Sequence, residues 1–178
     1  MALIEPARFL AGDTFETFLE RPLSNSPLWH AVYKRAVISP DLAERVRILG
    51  GSWNLLALNE DWCGDSVNIL PYVAKLADAS DNLSFRIVRR DENLDIMDRH
   101  LTGTSRSIPV LILLNEDFNE CGWWGPRPAE LQKWVIEEGL KLPREERYKQ
   151  VRTWYARDRG ETTMREIVGK LEACMRSA

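Results

Sequence analysis

The sequence predicts an α/β fold, a central mixed sheet flanked by helices with extra helices at both ends of the chain. Two observations carry this expectation. Between residues 53 and about 140 the hydrophobic period alternates between strand-like apolar runs and helical stripes, and outside that stretch only helical stripes occur. The middle order, β-α-β-α-β-β-α, combines crossover connections with a closing hairpin, so parallel and antiparallel pairs share one sheet.

The N-terminal segment, about residues 12–50, reads as helical. Thr14 to Leu19 forms a short helix, Trp29, Tyr33, Ala36 and Val37 form one stripe, and Leu42, Val46 and Leu49 form another after Pro40-Asp41. Spacings of three, four and seven place each set on one helix face. Gly50-Gly51 then interrupts the chain. In the core stretch, Trp53 to Leu58 reads as a strand, Ser66 to Ala79 as a helix, Leu83 to Arg90 as a strand and Glu92 to Leu101 as a helix. Val110 to Leu114 and about Asn119 to Trp124 read as two strands split by a hairpin turn at Asn115-Glu116-Asp117. A helix starting near Pro128 closes the core with Leu131, Trp134 and Val135 facing inward. Over about residues 143–176 the stripes Tyr148, Val151, Tyr155 and Met164, Ile167, Val168, Leu171 mark two docked amphipathic helices. Their Arg144, Arg147, Lys149 and Arg152 read as a solvated face with no chemistry of its own.

The chain of 178 residues, 44% hydrophobic and 29% charged, is large enough to bury a core as one domain spanning residues 1–178. Its formal net charge of -3, with both signs interspersed, supplies no broad basic field and excludes nucleic acid as the expected partner. The first thirty residues lack a basic start followed by a long apolar run, and no stretch approaches the roughly 20 apolar residues of a membrane span. The expectation is a soluble, cytoplasmic protein that binds no membrane. Three cysteines, Cys63, Cys121 and Cys174, suit neither a disulfide framework nor a tetrahedral metal site, and no metal is expected. Cys121 falls in the last strand and Cys174 on the final helix stripe, so both read as structural core residues. His30 and His100 lack ligand-spaced partners and read as structural or surface groups.

The chemistry concentrates in Asn59-Glu60-Asp61-Trp62-Cys63-Gly64-Asp65-Ser66, between a predicted strand and a predicted helix. Cys63 then lies at or just before a helix N-terminus, where unpaired N–H groups and the helix dipole favour a thiolate. Ser66 can add a hydroxyl hydrogen bond, whereas Asp61 and Asp65 oppose ionisation. The sign of the balance depends on geometry.

Four separated features make this stretch resemble the thioredoxin superfamily. Trp62-Cys63-Gly64 is similar to the start of the family's Trp-Cys-Gly-Pro-Cys motif, so the site reads as a Cys-Gly-Asp-Ser variant. Pro71, eight residues after Cys63, matches the family's kinking proline, informative because a proline inside a helix costs about 3 kcal/mol. Ile108-Pro109 matches the cis-proline that lies against the catalytic sulfur, and Gly125 matches the glycine ending the last strand. The resemblance covers Trp53 to Leu140 and implies a thioredoxin-like fold for that core, with the N-terminal helices replacing the family's usual first strand.

Three departures bear on mechanism. Ser66 replaces the second cysteine, Ala57 stands where many relatives bury an acid, and Ile87 stands where they bury its lysine partner. Losing the resolving thiol together with the acid thought to deprotonate it is self-consistent, so dithiol turnover is not expected. The resemblance implies monothiol exchange: Cys63 attacks a disulfide, with Ser66 beside it, and an outside thiol such as glutathione resolves the mixed disulfide. The expected partner is a protein disulfide or thiol. Trp62, Gly64 and Asp65 flank the sulfur, Ile108 and Pro109 offer backbone to an extended segment, and Trp124, in the loop Trp123-Trp124-Gly125, supplies an aromatic rim. Adjacent strand residues point to opposite faces, so one of Trp123 and Trp124 is expected to be exposed. The alternative expectation is a redox-inactive binding module that uses the same groove and rim to hold a protein.

Overall fold

Three runs rich in Leu, Ile and Val, and a fourth that ends in Trp123 and Trp124, become a single sheet. The computed structural model describes residues 4–177. The strands β1 (Trp53–Asn59), β2 (Leu83–Arg89), β3 (Val110–Leu114) and β4 (Glu120–Trp124) lie in the order β2-β1-β3-β4. β1 pairs in parallel with β2 from Trp53 opposite Leu83 to Asn59 opposite Arg89. β3 runs antiparallel to both β1 and β4, which gives the mixed sheet. Every residue of β1 is buried, because helices cover both faces of a central strand.

The helices are α1 (Pro6–Leu10), α2 (Phe15–Leu19), α3 (Ser26–Arg35), α4 (Pro40–Arg47), α5 (Ser66–Asp78), α6 (Leu94–Met97), α7 (Ala129–Glu137), α8 (Arg144–Asp158) and α9 (Glu161–Ser177). The Thr14 hydroxyl caps α2 by accepting from Thr17 N at 3.1 Å. Prolines in the first turns of α3 and α4 fit positions whose N–H groups have no intrahelical partner. Arg159 and Gly160, at φ 52° and 78°, separate α8 from α9.

Period-two alternation divides the core between the sheet faces. Leu55, Ala57, Leu111, Leu113 and Trp124 pack with α3, α4, α5 and α9, whereas Leu56, Leu58, Val110, Ile112 and Leu114 pack with Phe9, Ile96 and Met97. Cys63 and Ile108 belong to the second group. Both terminal extensions therefore contribute to the core.

Four details differ from the sequence expectation. The helix expected from Glu92 to Leu101 is only a 3-10 turn at Arg90–Glu92 followed by α6, because Asn93 takes a non-helical backbone and donates its amide to Arg89 O at 2.8 Å. Val37 lies beyond the end of α3 and is 78% exposed. Asp13 forms an antiparallel bridge with Ile87 on the outer edge of β2, through two backbone hydrogen bonds of 2.9 Å. Cys121 and Cys174 are joined by a disulfide, with Cα atoms 5.5 Å apart. The expectation that they are separate core thiols is thus corrected: α9 packs along β4 and meets a cysteine 53 residues away in sequence. Among the described residues, no helix is long and apolar enough to cross a membrane.

Candidate functional site

Cys63 sits in the short turn between β1 and α5. Its N–H donates to Glu60 O at 3.1 Å, and its carbonyl accepts the first bond of the following helix, from Val67 N at 3.2 Å. The Sγ accepts from Ser66 N at 3.5 Å and donates to Ile108 O at 3.4 Å. The Ile108–Pro109 and Gly125–Pro126 peptide bonds are cis. Gly125 has φ 141°, and a Cβ there would lie 2.2 Å from Pro109 O, so only glycine allows this approach of the two segments.

The turn is anchored from several directions. Glu60, only 2% exposed, accepts from Asp91 N at 3.0 Å and pairs with Arg89 at 3.2 Å, tying the motif to the end of β2. The Trp29 indole donates to Asp61 O at 3.0 Å, while the Asp61 carboxylate accepts from Ser24 N, so the N-terminal extension grips the motif directly. Asn68 donates to Gly64 O at 2.8 Å. Trp62 is 56% exposed, with the Arg90 guanidinium 5.4 Å from its ring centre.

The charge balance at the sulfur now has a sign. Burial pushes the Cys63 thiol above its ordinary pKa, and the Asp65 carboxylate adds to the rise, while Ser66 and backbone donors pull less strongly downward. The helix N-terminus does not win here. Asp65 itself is buried and fully engaged: Arg127 grips it at 2.9 and 2.7 Å, and the Tyr155 hydroxyl donates to it at 2.8 Å. Burial pulls the Arg127 pKa down, but the Asp65 carboxylate outweighs it and leaves the guanidinium above its ordinary value. Burial first, and then Asp65, raises the Tyr155 phenol well above its usual value. Ser66 is fully buried, and its Oγ has no partner that meets hydrogen-bond geometry, although the hydroxyl lies close enough to favour a thiolate.

The structure thus gathers Trp62, Cys63, Gly64, Asp65, Ser66, Ile108 and Pro109 around one sulfur, and it removes Trp124. That residue is 3% exposed, and its indole donates to Glu166 on α9 at 2.7 Å, so the expected aromatic rim is corrected to a core tryptophan. Trp123 points to the other face, edge-on to the buried His100 at 5.8 Å. Trp62 is the exposed aromatic of the motif. Ala57 and Ile87 are register partners in the sheet interior, an apolar pair. Arg127 and Tyr155 were absent from the sequence expectation. The available signal was a tyrosine on a buried stripe, because a buried hydroxyl needs a polar partner. No three His, Cys, Asp or Glu side chains converge as a metal site among the described residues.

Strand order, the placement of the thiol and the segment facing it define a protein of thioredoxin-like fold. A thioredoxin family model matches residues 12–152, and the chain belongs to that family. The match reaches beyond the stretch whose motifs suggested it, into both terminal extensions. A Pseudomonas aeruginosa protein of unknown function superposes with a TM-score of 0.76 at 19% identity, over 95% of this chain and 98% of that one. An HIV epitope-scaffold superposes with a TM-score of 0.73 at 18% identity, over 95% and 98%. Mitochondrial thioredoxin 3 of Saccharomyces cerevisiae, in oxidised form, aligns at 20% identity over 60% of this chain and 98% of that one, with a TM-score of 0.37. No curated protein matches the chain.

Proposed function

We propose that the protein performs thiol–disulfide exchange through Cys63 alone, forming a mixed disulfide with a protein substrate that an external thiol resolves. The observation that carries this reading is the isolation of Cys63 as the free cysteine among the described residues, at a helix N-terminus against Ile108 O, with Ser66 rather than a thiol behind it. The Ile108–Pro109 backbone is the surface for an extended peptide, and Trp62 is the aromatic beside it.

The raised thiol makes this exchange alkaline-shifted. Only the thiolate attacks, so Cys63 is largely protonated at neutral pH and gains reactivity as pH rises past the ordinary thiol range. The sign for stability follows by linkage. The folded-state pKa lies above the unfolded one, so the contribution of Cys63 is complete below the unfolded value and is lost as pH rises through the folded one. The test is intact-mass alkylation of the native protein against pH. The expected result is a single adduct, at Cys63, whose half-maximal rate lies at higher pH than for a cysteine in an unfolded peptide, with two further sites appearing only after reduction. A midpoint below that of the peptide contradicts the electrostatics described above.

Burial and the raised pKa also favour a second reading, a binding module in which Cys63 is not used. That reading prevails if Cys63 forms no mixed disulfide with any disulfide offered at alkaline pH, where its thiolate is populated.

A further inference from the structure

Cys63 lines a pocket of about 250 Å³ enclosed by the two terminal extensions. From the N-terminal side come Asn25, Leu28 and Trp29, and from α8 come Tyr148, Val151 and Arg152. The motif forms its floor. Ile108 and Pro109 are not part of this lining, so the opening is separate from the cis-proline segment.

The polar groups of the lining are unequally occupied. The Asp65 carboxylate is neutralised by Arg127 and held by Tyr155, while the Asp61 carboxylate accepts from Ser24 N and keeps its charge. The Arg152 guanidinium and the Asn25 carboxamide are exposed and have no hydrogen bond or ion pair among the described residues. Arg144 and Arg147 flank Tyr148 at 5.4 and 5.6 Å from its ring centre, on the same turns as Glu145 and Glu146, so Arg152 is the cation of the lining itself. Leu28 and Val151 supply apolar wall. The volume suits a compact molecule rather than a folded partner, and the unpaired cation at the rim selects an anion.

Building on the exchange proposed above, we infer that this pocket seats a low-molecular-weight thiol bearing a carboxylate, the carboxylate meeting Arg152 and the sulfur meeting Cys63. In the reaction, the Cys63 thiolate attacks a protein disulfide, and one protein sulfur leaves as a thiolate that takes up a proton. The pocket-seated small thiol, as thiolate, then attacks the Cys63 sulfur of the resulting mixed disulfide. The bond from Cys63 to the small thiol forms as the Cys63–protein bond breaks, and the second protein thiolate takes up a proton. A second molecule of the same thiol, as thiolate, then attacks the pocket-bound small-molecule sulfur. It leaves as the symmetrical small disulfide and returns Cys63 as thiolate. The small thiol is the reductant: two molecules of it are oxidised to one symmetrical disulfide, and one protein disulfide is reduced to two thiols. Arg152, read in the sequence as part of a solvated face, thereby acquires a role.

The experiment follows mixed-disulfide formation at Cys63 by intact mass with two probes, glutathione disulfide, which carries carboxylates, and hydroxyethyl disulfide, which is uncharged. Arg152→Glu, at an exposed position, is expected to slow the reaction with glutathione disulfide about tenfold at low salt and to leave hydroxyethyl disulfide unchanged. Leu28→Trp, at a position 40% exposed, fills the opening and slows both probes. If Arg152→Glu affects neither probe, or both equally, the pocket assignment is overturned while exchange at Cys63 stands. If neither probe labels the wild-type protein at alkaline pH, the exchange reading falls and this inference falls with it.

Discussion

Removing the Cys121–Cys174 disulfide lowers the unfolding free energy by about 4 kcal/mol, the entropy that a cross-link over 53 residues withholds from the unfolded chain. Such a loss is a large fraction of the total stability of an ordinary domain. The variant that isolates it is Cys121→Ala, because Cys121 is exposed and its truncation opens no cavity, whereas Cys174 is 5% exposed in the core. Without the bond, α9 still has its buried stripe of Met164, Ile167, Val168 and Leu171, and the Arg45–Glu172 pair at 2.7 Å. The helix is expected to stay docked but to open more often, so amide exchange should accelerate in α9 and β4 ahead of α5. Urea unfolding of Cys121→Ala beside wild type reads the total, and a difference under about 1 kcal/mol shows that the cross-link constrains little. A disulfide of this kind persists in oxidising surroundings. Blocking thiols at lysis and counting the blocked cysteines therefore tests the cytoplasmic location expected from composition.

The strands and the helices after them were legible because their signals are local. β3 follows from five consecutive apolar residues, and α5 from an apolar run that starts after a turn-forming Cys63-Gly64-Asp65. The motif positions were legible because a strand-to-helix junction is itself a short-range pattern. What could not be read depends on long-range closure. Asp65 meets Arg127 and Tyr155 across separations of 62 and 90 residues, and no period or spacing encodes those contacts. The disulfide was hidden for the same reason. Trp124 was misplaced because alternation states only that Trp123 and Trp124 face opposite ways; α9, through Glu166, covers the Trp124 side and leaves Trp123 as the partly exposed one. The sign of the Cys63 shift failed to emerge because burial, its largest cause, belongs to the assembled core.

Asp65→Asn is expected to destabilise the protein by about 3 kcal/mol and at the same time to make Cys63 more reactive, two effects of opposite sign from one atom exchange. The stability loss arises because Arg127, with 21% of its side chain exposed, keeps its charge after losing its carboxylate partner. Tyr155 keeps a hydrogen-bond acceptor in the amide, so the charge pair rather than the hydroxyl dominates the loss. The reactivity gain follows from the same vacancy. The carboxylate that raises the Cys63 thiol is gone, and the guanidinium it neutralised is free to favour the thiolate. The alkylation profile should move to lower pH than wild type, and the stability that Cys63 loses at alkaline pH should shrink. Tyr155→Phe is the control: it removes one hydrogen bond to Asp65, about 2 kcal/mol, while leaving the ion pair in place, and should leave the thiol raised. If Asp65→Asn lowers stability without moving the alkylation profile, Asp65 acts only as a strut between α5, the loop after β4 and α8. If both move together, this chain holds its acid–base pair beside Asp65, in place of the pair that Ala57 and Ile87 lack, and the terminal extension that supplies Tyr155 tunes the thiol.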